Sequence, residues 1–147
     1  MTAGKAPDPF GQPLRLLFVC VENSCRSQMA EGFARAQGGA EVEALSAGSR
    51  PSSKVNPGAI ASMAEIGIDI SGHASKSLKE AARGGDFDAV VTMGCGDACP
   101  WVPARLRADW QIPDPKHMDA AGFAAVRDLI GRQVGELLER LREDQAG

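Results

Sequence analysis

The stretch LRLLFVCVENSCRSQMAEGFARAQ, residues 14–37, decides the reading of this chain. Leu14 to Cys20 is a short, nearly continuous apolar run, the pattern of a strand buried on both faces. Ser27 to Gln37 is rich in helix formers, with Met29, Ala30, Phe33 and Ala34 at helical spacing. Gly38-Gly39 ends that helix. Between strand and helix lies Cys20-Val-Glu-Asn-Ser-Cys-Arg26-Ser27. The five residues between Cys20 and Arg26 form a small cup whose backbone N–H groups point inward at the start of a helix, a ready-made oxyanion site. Val21, Glu22, Asn23, Ser24, Cys25 and Arg26 line it. At its base, Cys20 is surrounded by groups that favour the thiolate, the nucleophilic form of the side chain. The planar fork of Arg26 binds two oxygens of a tetrahedral anion, which a lysine cannot do. Ser27 can donate a hydrogen bond to the Cys20 sulfur. A cysteine at a strand end can also be a small buried hydrophobe, and Cys-x5-Arg alone is unspecific. The strand before it, Ser27 after it and the helix beyond give the motif its weight.

Val42 to Ser46 reads as a second strand. Asn56-Pro57 starts a helix, with Asn at the N-cap and Pro in the first turn, running to Ile66 and ended by Gly67. Ser75 to Ala82 reads as a short helix and Asp88 to Met93 as a third buried strand. Residues 94–107 read as a functional loop and Ala108 to Ile112 as a fourth strand. In the last helix Phe123, Val126, Ile130, Val134, Leu137 and Leu141 make one apolar stripe. This order implies an α/β fold, a four-stranded parallel sheet flanked by helices on both faces. In such folds the site lies at the carboxyl ends of the strands, where Cys20 and Met93 both fall. The cysteine pairs Cys20/Cys25 and Cys95/Cys99 should therefore share one end of the domain.

With 147 residues the chain fits a single domain, residues 14–147, large enough to fold without disulfides. Residues 1–13, with three prolines and a lone Phe10, read as a flexible leader without the apolar core of a signal peptide. A net charge of -3 argues against a nucleic-acid binder. No apolar run approaches the ~20 residues a membrane helix needs, so a cytoplasmic protein without a membrane partner is expected. In a reducing compartment two cysteine pairs suggest redox chemistry, catalysis or metal. Cys95-x3-Cys99 falls within zinc-ligand spacings, but Cys20-x4-Cys25 lies inside the oxyanion loop and no histidine accompanies either pair.

The cup, with Asn23 to Phe33 (NSCRSQMAEGF), resembles the phosphate-binding loop of low-molecular-weight tyrosine phosphatases and of the arsenate reductases derived from them. The resemblance continues through Ser46-Ala47-Gly48, Gly67-Ile-Asp-Ile-Ser71, Val91-Thr-Met-Gly-Cys95 and Asp114-Pro115, covering nearly all of residues 14–140 in order. It implies Cys20 as nucleophile, Arg26 as oxyanion clamp, Ser27 as thiolate stabiliser and Asp114 as general acid. Asp114 read alone would be a turn carboxylate.

In the thioredoxin-coupled members a second cysteine resolves the arsenylated nucleophile and a third carries the disulfide outward. Cys95 resembles the second and Cys99 the third, although three residues separate them where several relatives have a longer insert. Such a relay is thiol–disulfide exchange. The resemblance thus implies arsenate as substrate, phosphate or sulfate as competing oxyanions, and thioredoxin as reductant, with no tightly bound cofactor. A phosphatase of the same fold, or a transferase using mycothiol or glutathione, is the alternative. Asn23, Glu31, Ser46 and Asp69 match a polar cluster that holds potassium in some members; a hydrogen-bonded network supporting the loop reads equally well. Glu22, where glycine is frequent, puts a carboxylate near an anion site and could tune selectivity, but reads better as a solvent-facing side chain; Cys25 could resolve Cys20 but reads better as a structural cysteine; His73 and His117 read as surface or loop residues. The loop after Ser46 offers no aromatic residue for a phosphotyrosine, and Trp101 and Trp110 flank the later loop.

Overall fold

A computed structural model describes residues 13–81, 86–94 and 102–146, with side chains through 144. The expected leader thus lies almost wholly outside the described residues.

Strand β1, Leu14–Cys20, is buried along nearly its whole length, as its apolar run requires. Helix α1, Arg26–Gly38, follows the cup, and a 3-10 turn at Gly39–Glu41 leads into β2, Val42–Gly48. Helix α2 is Pro57–Ala64; the Asn56 side chain accepts from the Gly58 N–H at 2.7 Å, the N-cap that Asn-Pro promised. It stops two residues short of Ile66. Helix α3, Leu78–Ala81, begins three residues later than the 75 expected, and Ala82 lies outside the described residues. Strand β3, Phe87–Thr92, lies one residue earlier than read, and helix α4 is Ala120–Ala146.

Strand β4 corrects the sequence reading. It is Ala104–Asp109, not 108–112. The apolar content of Trp110 and Ile112 drew the reading too far along the chain. Among the described residues β4 is an edge strand paired only with β3, so it alternates: Leu106 and Ala108 lean on the core while Arg105, Arg107 and Asp109 face out. Trp110 and Ile112 continue beyond it as loop. The Trp110 N–H still bonds the Thr92 carbonyl at 2.8 Å, and the indole packs on Phe18 with ring centres 6.1 Å apart. Trp110 is partly buried and packs against the core.

All pairings are parallel, in the order β2-β1-β3-β4. Leu16, Phe18 and Cys20 of β1 face α1, α2 and α4, whose Met29, Met63 and Ile130 are fully buried against them. Leu17 and Val19 point to the opposite face, where Ala81 of α3 and Phe87 complete a smaller cluster. The order reverses between β1 and β3, so their carboxyl ends diverge at a crevice. Cys20 ends β1 there, and Met93-Gly94 leaves β3 there.

Candidate active site

The cup is held from outside by its carbonyls. Those of Cys20, Val21, Glu22 and Ser24 accept from the N–H groups of Ser49, Arg50, Ser52 and Asn56 at 2.8–3.2 Å, and the Asn23 carbonyl accepts from the Gln28 side chain at 3.1 Å. In a planar trans peptide the C=O and the next N–H point opposite ways. Five outward carbonyls therefore turn the following five N–H groups inward. Helix α1 has neither a side-chain cap at Cys25 nor an acidic residue in its first turn, so its positive end also faces the cup. Gly48 backs the cup closely: a Cβ there would stand 2.7 Å from the Val21 carbonyl oxygen.

Cys20 is 2% exposed, and its Sγ lies 3.0 Å from Ser27 Oγ. The direction of that bond follows from its neighbour. Asn23 Nδ2 donates to Ser27 Oγ at 2.7 Å, which leaves the hydroxyl hydrogen free for the sulfur. Asn23 itself sits at φ 53, a left-handed conformation that asparagine adopts more readily than most residues. Its Oδ1 accepts from the Lys76 N–H at 2.7 Å and from Gln28 Nε2 at 3.1 Å.

Behind it lies the expected polar cluster, in altered form. Ser46 Oγ donates to buried Glu31, whose carboxylate also meets Arg35 at 2.7 Å, His73 at 3.7 Å and Lys76 Nζ at 3.8 Å. Asp69 is exposed and accepts from the Ser71 N–H instead. Of the four residues named for a cation cage, three line the network and Asp69 does not. Their oxygens already face protein donors and cations, so the arrangement fits a hydrogen-bonded support better than a potassium cage. Gln28, His73 and Lys76 were not singled out as parts of this support.

His73 is a loop residue, as read, but not a free surface one: its side chain is 12% exposed, and Nδ1 lies 2.9 Å from Gln28 Oε1, an acceptor, so Nδ1 carries the hydrogen. Burial holds the imidazole below its ordinary 6.5; Glu31 pulls it up, and Arg35 and Lys76 push it down again. A depressed folded-state value means that the unfolded chain takes the proton first as pH falls. The contribution of neutral His73 is complete above about pH 6.5 and is lost as pH drops toward the folded-state value. Thermal unfolding followed across pH should therefore show a midpoint falling below that point. His73→Gln, which keeps a donor for Gln28, should flatten the decline; an unchanged profile would remove His73 from the acid response.

Arg26 reaches across the crevice. Its residue is 7% exposed; Nη1 donates to the Ile112 carbonyl at 3.1 Å, and Nη2 stands 3.7 Å from Asp114 Oδ2. Gly94, at φ 79, packs so closely on this guanidinium that a Cβ would clash with Nη1. Asp114 is half-exposed at the mouth, its Oδ1 accepting from the Lys116 N–H at 3.1 Å. Cys25 is 3% exposed, and burial pushes its thiol up to about 11, so it is protonated and inert at neutral pH. Glu22 does not simply face solvent: Lys116 Nζ donates to its Oε2 at 2.7 Å. His117 is exposed.

The structure thus brings Cys20, Arg26, Ser27 and Asp114 to one crevice with the cup from Val21 to Cys25. Cys95, Cys99 and Trp101 lie outside the described residues, although Gly94, directly before Cys95, lies against the Arg26 guanidinium. Among the described residues no group of three or more His, Cys, Asp or Glu side chains could hold a metal ion. No helix among them is long and apolar enough to cross a membrane. Chemically, the arrangement offers a nucleophilic sulfur at the base of an N–H-lined cup, a bidentate cation beside it and a carboxyl group at the mouth.

Comparison with known proteins agrees with this geometry. Residues 15–146 match the low molecular weight phosphotyrosine protein phosphatase family. A glutaredoxin arsenate reductase of Synechocystis sp. is 42% identical over 130 residues, covering 86% of this chain and 98% of the relative. A solved arsenate reductase in the phosphate-binding state superimposes with a TM-score of 0.79 at 40% identity, over 86% of this chain and 98% of that one. A thioredoxin-dependent arsenate reductase of Corynebacterium glutamicum gives a TM-score of 0.76 at 32% identity, over 97% of this chain and 67% of that one.

Proposed function

Because the chain belongs to the low molecular weight phosphotyrosine protein phosphatase family, we propose that its cup performs that family's sulfur chemistry on arsenate rather than on a phosphoester. The enzyme is an arsenate reductase in this reading, a cytoplasmic one serving arsenic detoxification. The observation that carries it is the approach of Gly94 to Arg26, which starts the Cys95–Cys99 segment one residue from the oxyanion clamp. A phosphatase has no use for a cysteine there; a reductase needs one. The kinship with arsenate reductases at about 40% identity over most of the chain supports the same choice.

The chemistry balances as follows. The Cys20 thiolate attacks arsenic, with the anion's oxygens on the cup N–H groups and the Arg26 fork. One As–O bond breaks, and Asp114 supplies the proton with which that oxygen leaves as water. Cys95 then attacks the Cys20 sulfur. The S–As bond breaks, its electron pair stays on arsenic, and arsenite departs, leaving a Cys20–Cys95 disulfide. Attack of Cys99 on Cys95 frees Cys20 and moves the disulfide to Cys95–Cys99. Three intervening residues allow this closure if the Cα atoms come within about 7 Å. Thioredoxin, a dithiol, takes the disulfide over. The network behind Asn23 supplies support for the loop, and no step passes through potassium.

A second reductant has its own support, since the Synechocystis relative is a glutaredoxin arsenate reductase. Arsenate-dependent NADPH oxidation decides between them. Thioredoxin with its reductase should sustain turnover, while Cys95→Ser and Cys99→Ser should not. Turnover only with glutaredoxin and glutathione, or with mycothiol, would replace the thioredoxin step. Aryl phosphate hydrolysis without arsenate reduction would make the protein a phosphatase.

A further inference from the structure

The rim of the cup carries an ion pair that the chemistry above does not use. Glu22 is a cup residue whose backbone is fixed, its carbonyl accepting from the Ser52 N–H and from Ser75 Oγ at 2.9 Å. Its carboxylate leans outward to Lys116 Nζ at 2.7 Å, bridging segments 94 residues apart in sequence. Lys116 is also the residue whose N–H holds Asp114 Oδ1, and Asp114 in turn faces Arg26. Four charged side chains thus meet at the mouth: Arg26 and Lys116 against Glu22 and Asp114.

We propose that Lys116 is a specificity-determining residue that masks Glu22, allowing a doubly charged oxyanion to enter a cup with two carboxylates at its rim. The inference rests on the oxyanion reading of the cup. Lys116 cancels the charge of Glu22, and the N–H groups of the cup and the helix end are left to attract the anion. Without Lys116 the Glu22 carboxylate stands unpaired where the substrate must pass. Both partners stay ionised at neutral pH: Glu22 is held below its ordinary value chiefly by its bond to Lys116, and Lys116 above its own chiefly by Glu22. Each side chain of the pair is about one-third exposed, and ion pairs so exposed add little to stability. The placement therefore has more consequence for an arriving anion than for the fold. It also explains how a carboxylate is tolerated in a cup built for anions.

The test is calorimetric titration with inorganic phosphate at low ionic strength, using wild type, Lys116→Met, Glu22→Gln and the double variant. Lys116→Met keeps the backbone N–H bond to Asp114. It should weaken phosphate binding about tenfold, the order expected from one uncompensated charge near a partly exposed site. Glu22→Gln should tighten binding, and the double variant, with neither charge of the pair, should return to within about twofold of wild type. Raising the salt to about 1 M should shrink these differences, since screening then acts within about 3 Å. In arsenate turnover the same variant should raise KM with kcat changed less than about twofold, a loss of uniform binding.

Unchanged phosphate affinity in Lys116→Met overturns the proposal. So does a double variant that binds phosphate as weakly as Lys116→Met alone, which would make Lys116 a direct anion contact rather than a mask for Glu22. A fall in kcat at constant KM would assign Lys116 to positioning Asp114 and also overturn it. Phosphate binding without arsenate reduction would remove the reductase reading and leave the calorimetric comparison decisive. A wild type that binds no oxyanion would remove the cup reading and this inference together.

Discussion

Cys20→Ser is expected to abolish arsenate reduction and any aryl phosphate hydrolysis together, by about 10⁴-fold or more in kcat, while leaving the fold intact. The Ser27 hydroxyl, freed by Asn23 to donate, lies 3.0 Å from the sulfur, and the N–H groups of the cup surround the base of the crevice. These groups can carry the charge of a thiolate; they cannot turn a serine hydroxyl into an alkoxide at neutral pH. Stability should hardly move. Position 20 is fully enclosed, serine is smaller than cysteine by little, and its hydroxyl can pair with Ser27, so unfolding should change by about 1 kcal/mol or less. Parallel activity assays and thermal melts check both halves. Residual turnover within a hundredfold of wild type would mean that another sulfur attacks. Cys25 is poorly placed for that, buried and with its thiol raised to about 11.

How much of this was legible in the sequence depends on the distance over which each feature is encoded. β1, the cup and α1 are local: a seven-residue apolar run, a loop and a helix follow one another, and each announces itself within a few residues. The N-cap Asn56 is local for the same reason. β4 was misplaced because an edge strand carries alternation rather than a run, and Trp110 and Ile112 beyond it serve the core from a loop. The support of the cup was legible only in part. Asn23, Glu31 and Ser46 came from family likeness, whereas Gln28, His73 and Lys76 each make a contact across 45 residues or more, between elements that only the folded chain brings together. Glu22 illustrates the limit best. Its sequence context resembles a solvent-facing side chain, and its partner Lys116 lies on the far side of the domain in sequence. Asp69 shows the converse: the match to a family position survives while the side chain turns outward to Ser71.

Arg26→Lys is the substitution that best separates charge from geometry at this site. It keeps a cation in the crevice, yet kcat/KM for arsenate is expected to fall about 10³-fold, with near-native melting. The guanidinium is held from three sides. Nη1 donates to the Ile112 carbonyl, Nη2 faces Asp114, and Gly94 closes over the Nη1 edge. That fixes the plane of the fork before any anion arrives, so two oxygens can be bound without further ordering. A lysine ammonium is a point charge on a flexible stem; it would satisfy Ile112 or Asp114 but not present two parallel donors. Gly94→Ala tests the same geometry from the other side without touching the charge. A Cβ there overlaps Nη1, and a φ of 79 is costly for alanine, about 1 kcal/mol or more in stability. The Arg26 plane must shift, and turnover should fall about a hundredfold, alongside weakened phosphate binding. If Arg26→Lys retained more than a tenth of wild-type kcat/KM, the bidentate clamp would not be what the crevice is built around. If Gly94→Ala were silent while Arg26→Lys was not, the clamp would stand, but its orientation would not depend on the end of β3.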